Sequence, residues 1–207
     1  MFKTITRLTV LAGAVLALGA CSNPREASKA NFTRAIQAYL DGQNGLCVPL
    51  PANEVPFTLP DQDLFPQNKA RADALVQAGL LAAQPTGMKP GFGSGTRPAT
   101  EYRATTLGQT FLDTQAPKTL IQRAAFCSGT YRVQEVTNFT EPGELMGVKL
   151  SHVEYTYTVK DGADWTRSEA LGTAYPELAK HSQDRVAAKA TLILTHDGWV
   201  HESQFKR

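Results

Sequence analysis

Histidine, cysteine and tryptophan are scarce in this chain, at four, three and two residues among 207. None of the cysteines stands in a Cys-x-x-Cys pair or beside clustered histidines, so neither a zinc site nor a redox-active dithiol has support. Charge is sparse and nearly even, with 21 basic side chains against 19 acidic ones. That excludes the strongly basic surface with which proteins meet nucleic acid. Long apolar runs are lacking too: Leu8 to Leu18 falls short of the about 20 apolar residues that cross a bilayer. No Gly-x-Ser-x-Gly elbow holds a serine nucleophile, and Gly91 to Gly95 lacks the Lys-Ser or Lys-Thr that completes a phosphate loop.

What is present at the start points to export. Lys3 and Arg7 lead into the apolar run, and small residues close it in Leu18-Gly19-Ala20-Cys21, the three-part plan of a cleaved signal. Those four residues resemble the lipobox of bacterial lipoproteins. The resemblance implies that residues 1–20 are a signal peptide and that the Cys21 thiol receives a diacylglycerol. It also implies acylation of the new amino terminus, as with palmitate. One chain binds membranes marginally, whereas two or more anchor stably. Ser22, where an Asp favours inner-membrane retention, implies the outer membrane and a periplasm-facing protein. Loss of residues 1–20 removes Lys3 and Arg7 and leaves 19 charges of each sign, so the basic excess belongs to the signal.

After lipidation of Cys21, Cys47 and Cys127 remain as an even pair in an oxidising compartment, which predicts a disulfide. Two buried free thiols are the alternative.

The mature chain reads as α+β: a tether over residues 21–28, a helical part over 29–115 and a β-rich part over 116–207. Asn23-Pro24-Arg25-Glu26 has the form of a helix start. Phe32, Ala35, Ile36, Tyr39 and Leu40 follow the spacing of one buried helical face, which Asp41-Gly42 ends. Five prolines between Val48 and Pro66 predict an extended crossover without central strands. A second helix is expected over about Gln67 to Ala78. Then come Gly79-Leu80-Leu81, a glycine-rich tip at Gly91-Phe92-Gly93-Ser94-Gly95, and Tyr102-Arg103-Ala104-Thr105-Thr106-Leu107-Gly108, with Thr106 as the next cap. Helix, hairpin and short helix in this order resemble the wing region of winged-helix proteins. The proline-rich crossover departs from that pattern, and a balanced exported chain has no DNA to meet, so the resemblance implies a scaffold or protein-contact surface.

From Ile121 onward strands dominate. Val153, Tyr155, Tyr157 and Val159 alternate with polar residues, as do Val186, Ala188, Ala190, Leu192 and Leu194. Asp197-Gly198 predicts a two-residue hairpin loop leading into Trp199-Val200-His201. Asp164 to His181 is expected to be a helical or irregular excursion broken at Gly172 and Pro176. The sum is an antiparallel sheet of about four strands. Phe126 to Gly129, Tyr155 to Val159 and Asp164-Trp165 are similar to small exported proteobacterial proteins, some named after carbapenem gene clusters.

Few residues suggest chemistry. His196 and His201 bracket one turn, and a loop of Asp197-Gly198 would set His196 against Trp199 and Leu194 against His201. His152 and Glu154 share a strand face, spaced for an acid–base pair if a cleft covers them. Ser94 and Ser128 lack an elbow. Tyr131, Phe139, Tyr155, Tyr157, Trp165 and Trp199 could line a ligand groove or be core, with Tyr155, Tyr157, Trp165 and Trp199 as the leading candidates. The expectation is a lipid-anchored, non-enzymatic envelope protein without cofactor or bound metal, acting on an envelope protein or a small ligand and not on nucleic acid. The alternatives are an antibiotic-sequestering immunity factor of β-lactam type and a hydrolase of envelope polymers.

Overall fold

The computed structural model describes residues 23–62, 65–89, 94–113 and 124–206. Cys21, Ser22 and most of the glycine-rich tip lie outside them. The fold is α+β, and its largest element is an antiparallel sheet in the C-terminal half.

Helix α1 spans Lys29–Asp41 and buries Phe32, Ala35, Ile36 and Leu40, the face given by the sequence spacing. Its cap is Ser28, not Asn23, and Ser28 Oγ accepts from the amide of Asn31. Asn23 to Glu26 form a separate turn whose carbonyls are taken by tertiary donors. The Asn31 side chain donates to the Asn23 and Glu26 oxygens at 2.8 and 2.9 Å, and Trp199 Nε1 donates to Glu26 at 3.1 Å.

The proline-rich segment yields two short strands that end on prolines, β1 (Leu46–Pro49) and β2 (Phe57–Pro60). Each pairs on one side only, as a segment that cannot donate from proline requires. Helix α2 (Pro66–Gln77) leads through Gly79, at φ +75°, into a hairpin of β3 (Leu81–Met88) and β4 (Arg97–Ala104). Strand β2 lies on the far side of β4, giving the order β2-β4-β3. Helix α3 (Thr106–Phe111) follows, capped by Thr105 and not Thr106. Thr105 Oγ1 accepts from Gly108 N at 2.9 Å while donating to the Gly79 carbonyl at 2.6 Å, so one hydroxyl ends α2 and starts α3.

Strand β5 (Ala125–Ser128) pairs with β1 and turns through Gly129 into β6 (Thr130–Phe139). Strands β7 (Gly143–Leu145) and β8 (Val148–Lys160) form a tight hairpin. The chain then crosses a 3₁₀ turn at Asp164–Arg167, α4 (Glu169–Ala174) and α5 (Pro176–His181), and returns as β9 (Val186–Leu194) and β10 (Trp199–His201). The sheet order is β10-β9-β8-β6, with β7 also on β8. Two register shifts in β6, at Val133/Glu135 and Val136/Asn138, bend that strand and curl the sheet over α1.

Three local expectations are corrected. Gly172 sits inside α4, and the break falls at Tyr175-Pro176 alone. The β9–β10 loop is His196-Asp197, closed by Thr195 N donating to Gly198 O at 2.8 Å. Trp199 therefore faces Leu194 and His201 faces Leu192, two residues off the expected register. In β8 the alternation fails, because Thr156 and Thr158 are buried along with Tyr155 and Tyr157.

The apolar residues form two cores that do not divide at residue 116. One joins α1 to the curled sheet through Phe32, Ile36, Val136, Val153, Leu192 and Trp199. The other joins Val48, Leu50, Leu75, Leu80, Tyr102 and Phe126 to Trp165, Leu171 and Leu178 from the excursion. The amino-terminal helix thus packs with the carboxy-terminal sheet, and the excursion packs back on the earlier half.

Candidate functional site

Phenol and imidazole groups gather where the carboxy-terminal halves of α1 and α5 meet the sheet. Tyr39 comes from α1, Tyr131 from β6, Tyr155 and Tyr157 from β8, His181 from α5 and His201 from β10. Tyr39 stacks on His201 with centroids 3.8 Å apart and planes 9° apart. Tyr131 meets Tyr157 edge-on at 5.5 Å, and Tyr155 lies 6.0 Å from Tyr157.

Hydrogen bonds fix the polar ends. The Tyr157 hydroxyl bonds Nδ1 of His181. Nε2 of the same ring is 3.4 Å from Glu177. A neutral ring that serves both partners carries its proton on Nε2 and accepts the phenol on Nδ1. His201 Nδ1 accepts from the Ser203 amide at 3.2 Å and lies 2.8 Å from the Ser203 hydroxyl. Gln37, one turn before Asp41, donates to Tyr131 O at 3.0 Å and accepts from Val133 N at 2.9 Å, tying α1 to the first bulge of β6.

Burial sets the protonation states. It pushes the Tyr155 phenol up to about 12, with Tyr39 nearby adding to the shift. Burial, then the neighbouring Tyr131, Tyr155, Glu177 and Tyr39, raises Tyr157 further still. Burial holds His201 below the ordinary imidazole value, against a weaker opposing pull from Glu202. At pH 7 the Tyr155 and Tyr157 phenols therefore keep their protons, and burial favours the uncharged form of His201. What the cluster does chemically is hold hydrogen bonds inside an aromatic wall.

The four aromatics expected to share a groove are split between the cores. Tyr155, Tyr157 and Trp199 pack beside α1, whereas Trp165 lies in the other core, edge-on to Phe111 at 5.8 Å. Each is 5 or 6% exposed, so they are wall and filling, with little surface to offer a ligand.

The outer face of the sheet carries the remaining candidates. His152 and Glu154 do share a face of β8, beside a shallow hollow of about 460 Å³ rimmed by Asn138, Thr140, Lys189 and Thr191. Each is engaged across the ladder instead of with the other. Glu154 Oε1 meets Lys189 Nζ at 2.7 Å, and His152 Nδ1 is 3.4 Å from Thr191 Oγ1. The hydrogen bond and charge of Glu154 raise the Lys189 ammonium. Ser128 Oγ is a structural acceptor for Ala163 N at 2.9 Å, and His196 sits in the β9–β10 turn, two ladder positions from where the sequence placed it.

Cys47 and Cys127 are bonded, between residues directly opposed on β1 and β5. Among the described residues no group of three or more His, Cys, Asp or Glu could hold a metal ion. Among them, too, no helix is long and apolar enough to cross a membrane.

The contribution of Tyr39, His181 and His201 to one cluster was missed in the sequence, since they lie on three elements far apart in the chain. The only available signal was Tyr39 on the apolar face of α1. No family model matches the chain, and no curated protein or solved structure matches it either.

Proposed function

We propose that the protein is a lipid-anchored envelope protein that acts by contact with another envelope protein and not by turnover. The observation that carries this reading is the placement of the chain's first described residues against the rest of the fold. Asn23 to Glu26 are pinned to the β9–β10 turn, where Arg25 Nη1 donates to the carbonyls of Thr195 and His196 at 3.0 and 3.1 Å. A lipid on Cys21, two residues before Asn23, holds that end at a membrane. The disulfide belongs to the other end of the sheet, where β5 leads into the start of β6 opposite the end of β8. Strand β3 is exposed from Ala82 to Gly87 and, among the described residues, forms an outer edge of the three-stranded sheet.

Protein contact is favoured over small-ligand binding because the nominated aromatics are closed into the cores. An exposed strand edge is a ready template for another chain. Outer-membrane residence and the periplasmic orientation rest on Ser22 and the lipobox resemblance.

The test is Cys21→Ala, followed by fractionation of cells. Loss of the protein from the membrane fraction supports anchoring. Retention of the variant in membranes, with an unmodified wild-type chain, contradicts it.

A further inference from the structure

The end of the curled sheet that receives the first described residues also carries an apolar hairpin tip. Leu150 on β8 faces Ile193 on β9. Three residues outward from this pair stand Gly147 and His196, so at about 3.3 Å per residue both turns project about 10 Å beyond it. Neighbouring strands lie about 4.8 Å apart, which sets the two tips side by side. Pro24 packs on the β9–β10 turn: a Cβ added to Gly198 would come within 3.0 Å of the Pro24 oxygen. Cys21 is three residues before Pro24, a reach of at most about 11 Å.

The β7–β8 turn is built of Met146 and Gly147, at φ 52° and 77°. Positive φ at both positions suits the twist of a tight hairpin, and glycine, asparagine or aspartate is the unstrained choice there. This chain places methionine in the strained position, next to Leu145. Met146 is 84% and Leu145 61% exposed, the two highest values among the large apolar side chains of the described residues. Glu144 and Lys149 face each other just behind the tip, so the tip carries no charge of one sign. Backbone strain and apolar exposure coincide at the end where the chain enters the fold.

We propose that Leu145 and Met146 dip into the interfacial layer of the phospholipid bilayer that holds the Cys21 lipid, as a second point of attachment that fixes the orientation of the domain. This inference rests on the anchoring of Cys21. Two points of attachment restrain tumbling of the domain on the membrane. The contact is apolar, so it does not require anionic lipid and persists in high salt.

The experiment uses the full-length protein in native membranes, with a nitroxide on Met146→Cys and, for comparison, on Lys160→Cys at the opposite end of β8. The expected result is Cys21 carrying its lipid and the label at position 146 several-fold less accessible to a water-soluble nickel chelate than that at 160. Adding Leu145→Asp should return the label at 146 toward water while Cys21 remains lipidated. Equal exposure of both labels in a lipidated, membrane-bound protein overturns the docking and leaves the anchor standing. A Cys21 without lipid overturns both.

Discussion

Cys47 and Cys127 stand opposite each other in the β1–β5 ladder, with Cα atoms 4.1 Å apart, and their bond closes a loop across a sequence separation of 80. The strands it joins are four residues each, too short to hold the two halves together unaided. On the chain-entropy model, closing such a loop stabilises by about 4.5 kcal/mol. The double variant Cys47→Ser, Cys127→Ser should therefore show a urea midpoint well below that of the oxidised wild type. Reductant should lower the wild-type midpoint and leave the variant unchanged. Coincident curves would show that the bond contributes nothing.

Burial of the β8 phenols predicts alkaline instability. Folding raises the Tyr155 phenol from 10 to about 12 and raises Tyr157 as well, so the folded state favours the protonated forms. Stability from this source is complete below about pH 10 and is lost as pH rises through the folded values. Absorbance titration at 295 nm should show late, cooperative ionisation coincident with unfolding. Tyr157→Phe, which removes the bond to His181, should cost about 1 kcal/mol. Early, reversible ionisation of every tyrosine in the folded state would contradict the burial.

His201 gives the acid counterpart. Its folded value lies below the ordinary 6.5, because burial of the ring outweighs the opposing pull of Glu202. The unfolded state binds the proton more readily, so stability is present above about pH 6.5 and falls as pH drops through the folded value. His201→Gln should flatten this part of the stability profile, measured by urea unfolding between pH 7 and 5. A slope identical to wild type would assign the effect elsewhere.

Two glycines separate close approach from simple flexibility. A Cβ on Gly108 would lie 2.0 Å from the Leu80 carbonyl oxygen, where α3 abuts the end of α2, whereas a Cβ on Gly143 meets nothing within 4 Å. Gly108→Ala should destabilise by about 1–3 kcal/mol through forced backbone shifts. Gly143→Ala should stay within about 0.5 kcal/mol of wild type. Thermal melts of the two variants side by side give the comparison.

Periodicity made α1 and β9 legible, because one buried face repeats along each of them. It could not place the start of α1. There Ser28 replaced the Asn23 cap after Asn31 and Trp199 had taken the carbonyls of the preceding turn. The β9–β10 register was missed for a related reason: Asp-Gly is a strong local signal, yet Gly198 is the residue closing the loop, with Pro24 packed upon it. Alternation in β8 hid the burial of Thr156 and Thr158, which depends on what covers the second face of the strand. The cystine was legible from the even pair that remains once the lipobox resemblance sets Cys21 aside. The phenol–imidazole cluster was not, since its members meet only after the sheet has curled over α1 and α5 has packed against it.

Intact-mass analysis of the protein extracted from the membrane fraction tests the anchoring of Cys21 most directly. The expected mass is that of a chain beginning at Cys21, with a diacylglycerol on its sulfur, an acyl group on its amino terminus and the Cys47–Cys127 bond intact. A soluble product that starts at Met1 and carries a free Cys21 thiol would contradict it.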